Sequence, residues 1–183
     1  MRKVVPFALL TAALLAAPGC TTALKEVAGT ALGAKGTFTP IQPLAAGKDE
    51  RPLGQYERFE LGPIQDGIGG NVPGSFFTYL PAEFAEQLRG KKLPDRPGGK
   101  TLEVRGTITH YEASGTLGVV LGPLEEIIVR TQLVDKDTGS VLGEANCVGR
   151  TTERVNMGIK QKAEGFAKAV VGWIDSRYPK EGR

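Results

Sequence analysis

The sequence predicts an α/β fold of the α+β kind, a single β-α-β-β-β-α domain with two helices packed on one face of a mixed sheet. Residues 101–150 have the pattern of three consecutive β-strands. A strand and a short helix precede them, and an amphipathic helix follows. Strand patterns with period 2, flanked by helical patterns with period 3.6, are typical of a sheet covered by helices.

The amino end has the pattern of a lipoprotein signal peptide. Arg2 and Lys3 form a short positive segment, an apolar run of fourteen residues covers 4–17, and Cys20 follows. A membrane-spanning helix needs about 20 apolar residues, so the run predicts a signal peptide over residues 1–19 that is cleaved. Cys20 would then become the first residue and carry the lipid, palmitate included, that anchors the chain in the membrane.

The neighbours of Cys20 bear on that prediction. Gly19 fits the usual sequence before a lipidated cysteine, whereas Ala17 and Pro18 depart from it, so an ordinary secretory peptide with a coincidental cysteine is the alternative. Thr21 is not the aspartate that resembles an inner-membrane retention signal. We therefore expect a bacterial cell-envelope protein at the outer membrane, facing the periplasm, and several acyl chains would hold it there firmly.

Residues 20–54 are rich in Ala, Gly, Thr and Pro without a sustained period of 2 or 3.6, and we predict that they form a lipidated tether. The periplasmic α/β domain would then cover residues 55–183. The formal net charge is +3, and the two cations Arg2 and Lys3 would leave with the signal peptide. A nearly neutral chain gives no electrostatic reason to expect nucleic acid.

The domain is predicted to open with a β-α unit. Residues 56–61 alternate as in a short strand. Residues 75–89 have a helical pattern with a break, and the main helix is predicted over 81–89, with a turn leading in, Pro81 at its first position and Gly90 at its end. A right-handed crossover through this helix should place strand 55–62 parallel to strand 101–111.

A hairpin over residues 126–150 is the next predicted unit. Its strands run from 126 to 135 and from Val141 to about Thr152, joined by the turn residues 135–140. Short polar side chains bond their own backbone in such turns, and Gly139 tolerates a positive φ. The closing helix is predicted over 157–178, weakened by about 1 kcal/mol at each internal glycine.

The sequence offers no catalytic constellation. The triplet 137–139, Asp-Thr-Gly, occurs once, whereas aspartic proteases need two carboxylates that share a proton. His110 is the single histidine, and we expect it to be a core or rim residue. Cys147 lies in step with apolar strand residues and predicts a small buried side chain. We expect no enzyme activity, no metal site and no cofactor.

One connection is unusual for its composition. Residues 112–123 join two strands, yet the tip is apolar and glycine-spaced: Leu117, Val119, Val120 and Leu121. These residues either fold back against the domain or form an exposed apolar loop that docks on a protein partner, a second copy or the membrane. They are the tentative partner-binding residues.

Several of these patterns resemble those of a family of bacterial lipoproteins with a domain of unknown function. The shared features are a strand of the type Leu-x-Val-x-Gly-x-Ile-x-x-Tyr at 102–111 and a hairpin of the type Leu-Val-Asp-x-x-Thr-Gly-x-Val-Leu at 133–142. A glycine-rich loop and a terminal amphipathic helix complete the resemblance, over about residues 54–178. Such domains are similar in fold to envelope assembly lipoproteins, including the curli-secretion and peptidoglycan-synthase-activator types. A likeness of fold transfers no function.

Two functions remain open from the sequence. The first is a membrane-anchored, non-enzymatic binding or assembly module of the envelope, acting on a protein partner or as a homo-oligomer. The alternative is a periplasmic carrier of a small molecule or lipid, with Phe76, Phe77 and Trp173 lining an apolar cavity. Such a cavity would favour the carrier, and tight packing would remove it.

Overall fold

The computed structural model describes residues 33–44, 51–112, 125–151 and 158–180. Within them the chain forms five strands and two helices, whose bounds are β1 Lys35–Gln42, β2 Arg58–Asp66, α1 Gly74–Gly90, β3 Thr101–Tyr111, β4 Glu125–Asp135, β5 Val141–Thr151 and α2 Gly158–Ser176.

The strands form one sheet in the order β1-β5-β4-β3-β2. β2 and β3 are parallel and are connected through α1, whereas the β3–β4, β4–β5 and β5–β1 pairs are antiparallel. Both helices lie on one face of the sheet. The α+β class, the parallel β2–β3 pair and the β4–β5 hairpin are therefore as the sequence predicts.

The sheet has one strand more than predicted, because β1 lies inside the segment assigned to the tether. It pairs with β5 from Lys35 opposite Arg150 to Gln42 opposite Glu144. Gly36 and Pro40 conceal the strand in the sequence, since both residues are rare in strand interiors. Their positions explain them: β1 is an edge strand, where Pro40 can lack an N–H, and Gly36 lies directly beneath α2. The compact unit starts at Gly33 rather than at residue 55.

Helix α1 begins about two turns earlier than predicted, at Gly74, and contains Pro81 in its interior. Pro81 has no N–H to donate to the carbonyl one turn earlier in the helix. Because Pro81 is exposed, water can bind that carbonyl instead. Phe76, Leu80 and Phe84 form the buried side of the helix. Apolar residues at intervals of four on this side offset the cost of the proline.

Three glycines let α2 lie directly against the backbone of β1 and β5. A Cβ atom at Gly36 would lie 2.3 Å from the Ala169 nitrogen, and one at Gly149 would lie 2.5 Å from the Phe166 nitrogen. A Cβ at Gly165 of the helix would lie 2.6 Å from the Lys35 carbonyl oxygen. The glycine that weakens α2 as an isolated helix is therefore the residue that permits its close packing.

Candidate functional site

The first residue of β1 lies at the same end of the sheet as three other strand boundaries. Lys35 of β1 is opposite Arg150, and the next residue of β5, Thr151, is opposite Glu125, where β4 begins. β3 finishes at this end as well, with Tyr111 opposite Ile127. We call this end of the sheet, where β1 and β4 begin and β3 and β5 end, the tether end.

A buried lysine lies at the tether end. Lys162 of α2 is 1% exposed, and its Nζ lies 2.7 Å from Glu125 Oε2. The same ammonium donates a hydrogen bond to the Glu112 carbonyl and lies 4.5 Å from the centre of the Tyr111 ring. The Glu125 oxygen is close to the ammonium without hydrogen-bond geometry, so the contact is chiefly electrostatic. This cluster ties α2 to the last residues of β3 and the first residue of β4.

The cluster is suited to holding structure in place rather than to chemistry. Burial raises the pKa of the Tyr111 hydroxyl, and the Glu125 carboxylate raises it further, so this phenol stays protonated. The Lys162 ammonium is already engaged by a carboxylate, a carbonyl and an aromatic face. Sequence reasoning missed this cluster, because an acid at 125 and a lysine 37 residues later carry no local signature.

The residues predicted to carry function lie outside the described ranges. These are the lipidation residue Cys20 and the tentative partner-binding residues Leu117, Val119, Val120 and Leu121. The structure places the two residues that flank the 113–124 connection, Glu112 and Glu125, beside Lys162. Their tether-end position is what the structure adds to the prediction.

A second polar cluster closes the opposite end of the sheet. Asp135 accepts hydrogen bonds from the Tyr56 hydroxyl at 2.8 Å and from the backbone N–H groups of Asp137 and Thr138, and Lys100 Nζ lies 3.0 Å away. The Lys100 ammonium, then the Tyr56 hydroxyl, hold the pKa of this carboxyl well below its usual range. Burial and the same carboxylate raise the pKa of the Tyr56 phenol. Gly139 has φ +71°, so the Asp-Thr-Gly triplet is a turn, as predicted.

The single histidine and the described cysteine have ordinary surroundings. His110 is exposed, because the β3–β4 register shifts between Ile108 and His110 and separates it from the apolar face on which the alternation places it. Cys147 is fully buried, as predicted, and burial raises the pKa of its thiol to about 12. Within the described residues, no three His, Cys, Asp or Glu side chains are grouped to hold a metal ion.

The residues proposed to line a carrier cavity are instead packed against other rings. Phe76 is fully buried, with its ring centre 6.5 Å from that of Phe166, and Trp173 lies against Phe38 at 6.3 Å. Phe77 packs edge-on against Phe76. These ring contacts occupy the positions at which the carrier alternative requires an open cavity.

The described residues also line open concavities elsewhere. One, of about 500 Å³, lies on the face of the sheet that carries no helix, and its charged side chains are paired as Glu103 with Arg105 and Glu144 with Arg130. Another, of about 440 Å³, lies between α1 and the edge strand β2 and has walls of mixed apolar and charged side chains. No helix in the described ranges is long and apolar enough to cross a membrane.

Comparison with known proteins gives a fold and no family. No family model matches the chain, and no curated protein is significantly similar to it. The structure is similar to that of a singly substituted PelC dodecamer from Paraburkholderia phytofirmans, with a TM-score of 0.50 at 13% identity over 80% of this chain and 99% of PelC. It is also similar to a minor lipoprotein from Acinetobacter baumannii, with a TM-score of 0.42 at 12% identity over 66% of this chain and 94% of the other. At such identities the PelC match supports the fold alone.

Proposed function

We propose that this protein is a membrane-anchored lipoprotein of the bacterial envelope that acts as a non-enzymatic binding and assembly module through its tether end. The observation that carries the proposal is that several strands begin or end at this end of the sheet. At this end of the sheet β1 begins at Lys35, β3 ends at Tyr111 and β4 begins at Glu125, and the apolar 112–123 connection joins the last two strands.

Chain length strengthens the argument. Residues 21–32 separate Cys20 from Gly33, and thirteen residue steps span at most about 45 Å. A flexible chain of this length has a typical end-to-end distance of about 20 Å. β4 alone, with 11 residues, is about 36 Å long. In such a chain, a lipid on Cys20 would on average hold the tether end nearer the membrane than the Asp135–Val141 turn at the opposite end.

The apolar connection would consequently be presented close to the membrane surface. Leu117, Val119, Val120 and Leu121 would meet a protein partner or a second copy of the chain there. PelC, which shares the fold, is described as a dodecamer. This description makes self-assembly one form of the proposed function, to be distinguished from a foreign partner by experiment.

The test is photo-crosslinking in cells from positions 117, 119 and 121, with Asp137 and Ser140 of the opposite turn as control positions. We expect a discrete crosslinked partner or self-dimer from the first set and none from the second. The product should disappear in the Cys20→Ala variant, since the lipid anchor brings the tether end to its partner. Equal crosslinking from both ends, or no product from 117–121, would contradict the proposal.

A further inference from the structure

The edge strand β2 presents free backbone groups beside α1. The N–H of Arg58 donates to the Lys100 carbonyl, on the β3 side. Because backbone groups alternate in direction along a parallel strand, the N–H and C=O of Phe59 and Leu61 point away from β3. On the same side, the Glu57 carbonyl just before β2 already accepts a hydrogen bond from the Arg96 N–H, whereas no described turn or loop residue is bonded to the N–H of Phe59 or Leu61. Two residues of β2 are thus available for pairing with another strand.

The groove of about 440 Å³ runs along this edge, and its walls combine apolar side chains with charged ones. Four consecutive residues of β2, 58–61, line one side, which means that the strand contributes its edge and not just one of its faces. Helix α1 supplies the other side with residues spaced three and four apart: Pro81, Phe84, Ala85, Leu88 and Arg89. A backbone edge next to apolar pockets is the arrangement that binds extended peptides by strand addition.

The available edge is short. The β2–β3 register shifts between Leu61 and Ile64, and Pro63 in that interval has no N–H to donate. Only the first half of β2 can therefore accept a further strand. Irregularities of this kind limit edge-to-edge aggregation, so the open part is a defined segment rather than a whole sheet edge.

The charges at this groove favour a carboxylate in the bound peptide. Its acidic residues are already neutralised, Glu60 by Arg58 and Lys136, and Asp95 by Arg58 at 3.7 Å. Arg89 also lines the groove, and no ion pair of Arg89 is found among the described residues. A cation at the carboxyl end of α1 therefore remains to pair with a ligand.

We propose that β2 and α1 bind an extended segment of a partner protein, which adds to the sheet as a sixth strand, places an apolar side chain against Phe84 and Leu88, and pairs a carboxylate with Arg89. A second copy of this chain fits less well. Its other edge strand, β1, has the sequence Lys-Gly-Thr-Phe-Thr-Pro-Ile-Gln, which contains no acid and one proline. The site is separate from the tether end and does not depend on the lipid.

The experiment is selection of random octapeptides against the full chain in detergent micelles, displayed once with free carboxyl termini and once with blocked ones. Three variants accompany the wild type. Ala85→Trp fills the groove, Arg89→Glu reverses its cation, and Lys35→Glu makes the same charge change at the other edge of the sheet.

We expect enriched peptides that alternate apolar and polar residues and carry an acid. Their binding should be lost with Ala85→Trp, weakened about fivefold or more with Arg89→Glu, and unchanged with Lys35→Glu. Enrichment only with free carboxyl termini would identify the terminal carboxylate as the partner of Arg89, and enrichment in both formats would identify an acidic side chain.

No enrichment, or equal binding to wild type and Ala85→Trp, would overturn the proposal. An oligomer of the wild type that Ala85→Trp dissociates would also overturn it, because a second copy would then occupy the groove. Circular dichroism of each variant separates loss of the site from loss of the fold. The crosslinking from residues 117–121 is unaffected by any of these results.

Discussion

Lys162 and Glu125 form an ion pair inside the protein, with Nζ and Oε2 2.7 Å apart and side-chain exposures of 1% and 10%. One residue comes from the first turns of α2 and the other from the first position of β4. The pair stands at the tether end, so its energetics bear directly on the part of the protein that is proposed to bind partners.

Removing one charge of this pair should lower the free energy of unfolding more than removing both. Glu125→Gln leaves the Lys162 ammonium buried without its carboxylate, and we expect a loss of about 3–5 kcal/mol in the free energy of unfolding. The double variant Glu125→Gln/Lys162→Met should recover part of that loss, because no uncompensated charge remains. Urea denaturation measures both. A double variant less stable than Glu125→Gln would contradict this account of the pair.

Two glycines of the same helix should respond oppositely to alanine. Gly165→Ala places a methyl group 2.6 Å from the Lys35 carbonyl oxygen, so we expect a net destabilisation of about 1–3 kcal/mol despite the better helix propensity. At Gly172 nothing outside the adjacent backbone of the helix itself lies within 4 Å of the added Cβ among the described residues, and Gly172→Ala should stabilise by up to about 1 kcal/mol. Thermal denaturation of the two single variants compares them directly. Equal effects would show that propensity rather than packing decides.

The Asp135 cluster should make stability depend on acid pH. In the folded state the pKa of the Asp135 carboxyl is lowered below its unfolded value of about 3.9. At a pH between these two pKa values, the carboxyl is protonated in the unfolded chain and ionised in the folded one. The stabilisation is therefore complete above pH of about 5 and is lost as the pH falls through this window. Denaturant midpoints between neutral pH and about pH 3 should fall more steeply for wild type than for Asp135→Asn. Parallel profiles would exclude this carboxyl as a source of the dependence.

Cys147 should be unreactive while the protein is folded. Burial raises the pKa of the thiol to about 12, and a protonated, enclosed thiol is a poor nucleophile. In the Cys20→Ala variant, which has Cys147 as its single cysteine, a thiol reagent at mildly alkaline pH should react only after denaturant is added. Fast reaction of the folded protein would mean that α2 opens readily over β5.

The hydrophobic pattern was sufficient for the parts of the fold that rest on local signals. The alternation of β3, the polar turn between β4 and β5 and the 3.6 period of α2 each predict what the structure contains. The sequence does not reveal β1, because Gly36 serves contact with α2 and Pro40 is tolerated at a sheet edge. Both conditions are set by residues more than 100 positions away. The helix predicted for α1 is too short, because a proline normally starts a helix. Here the packing of Phe76 and Phe84 offsets the cost of Pro81 in the helix interior.

The clusters show the same limit more strongly. Tyr56 and Asp135 are separated by 79 positions, and the contact exists because β2 and β4 are placed on either side of β3. Lys162 and Glu125 likewise meet because the fold places α2 beside the first residue of β4. The groove beside β2 exists because helix α1 lies over an edge strand. Neither residues 58–61 nor residues 81–89, taken alone, have a sequence pattern that predicts this arrangement.

The antiparallel pairing of β1 with β5 has a mechanical consequence. If Cys20 carries the lipid, a pull between membrane and domain would enter the sheet at Lys35, the first residue of β1. The component of that pull along β1 would load the backbone hydrogen bonds to β5 together in shear rather than break them one after another. The Lys168 ammonium of α2, which donates a hydrogen bond to the Ala34 carbonyl just before β1, would share that load. A lipid-anchored edge strand of this kind would transmit force into the sheet without opening it.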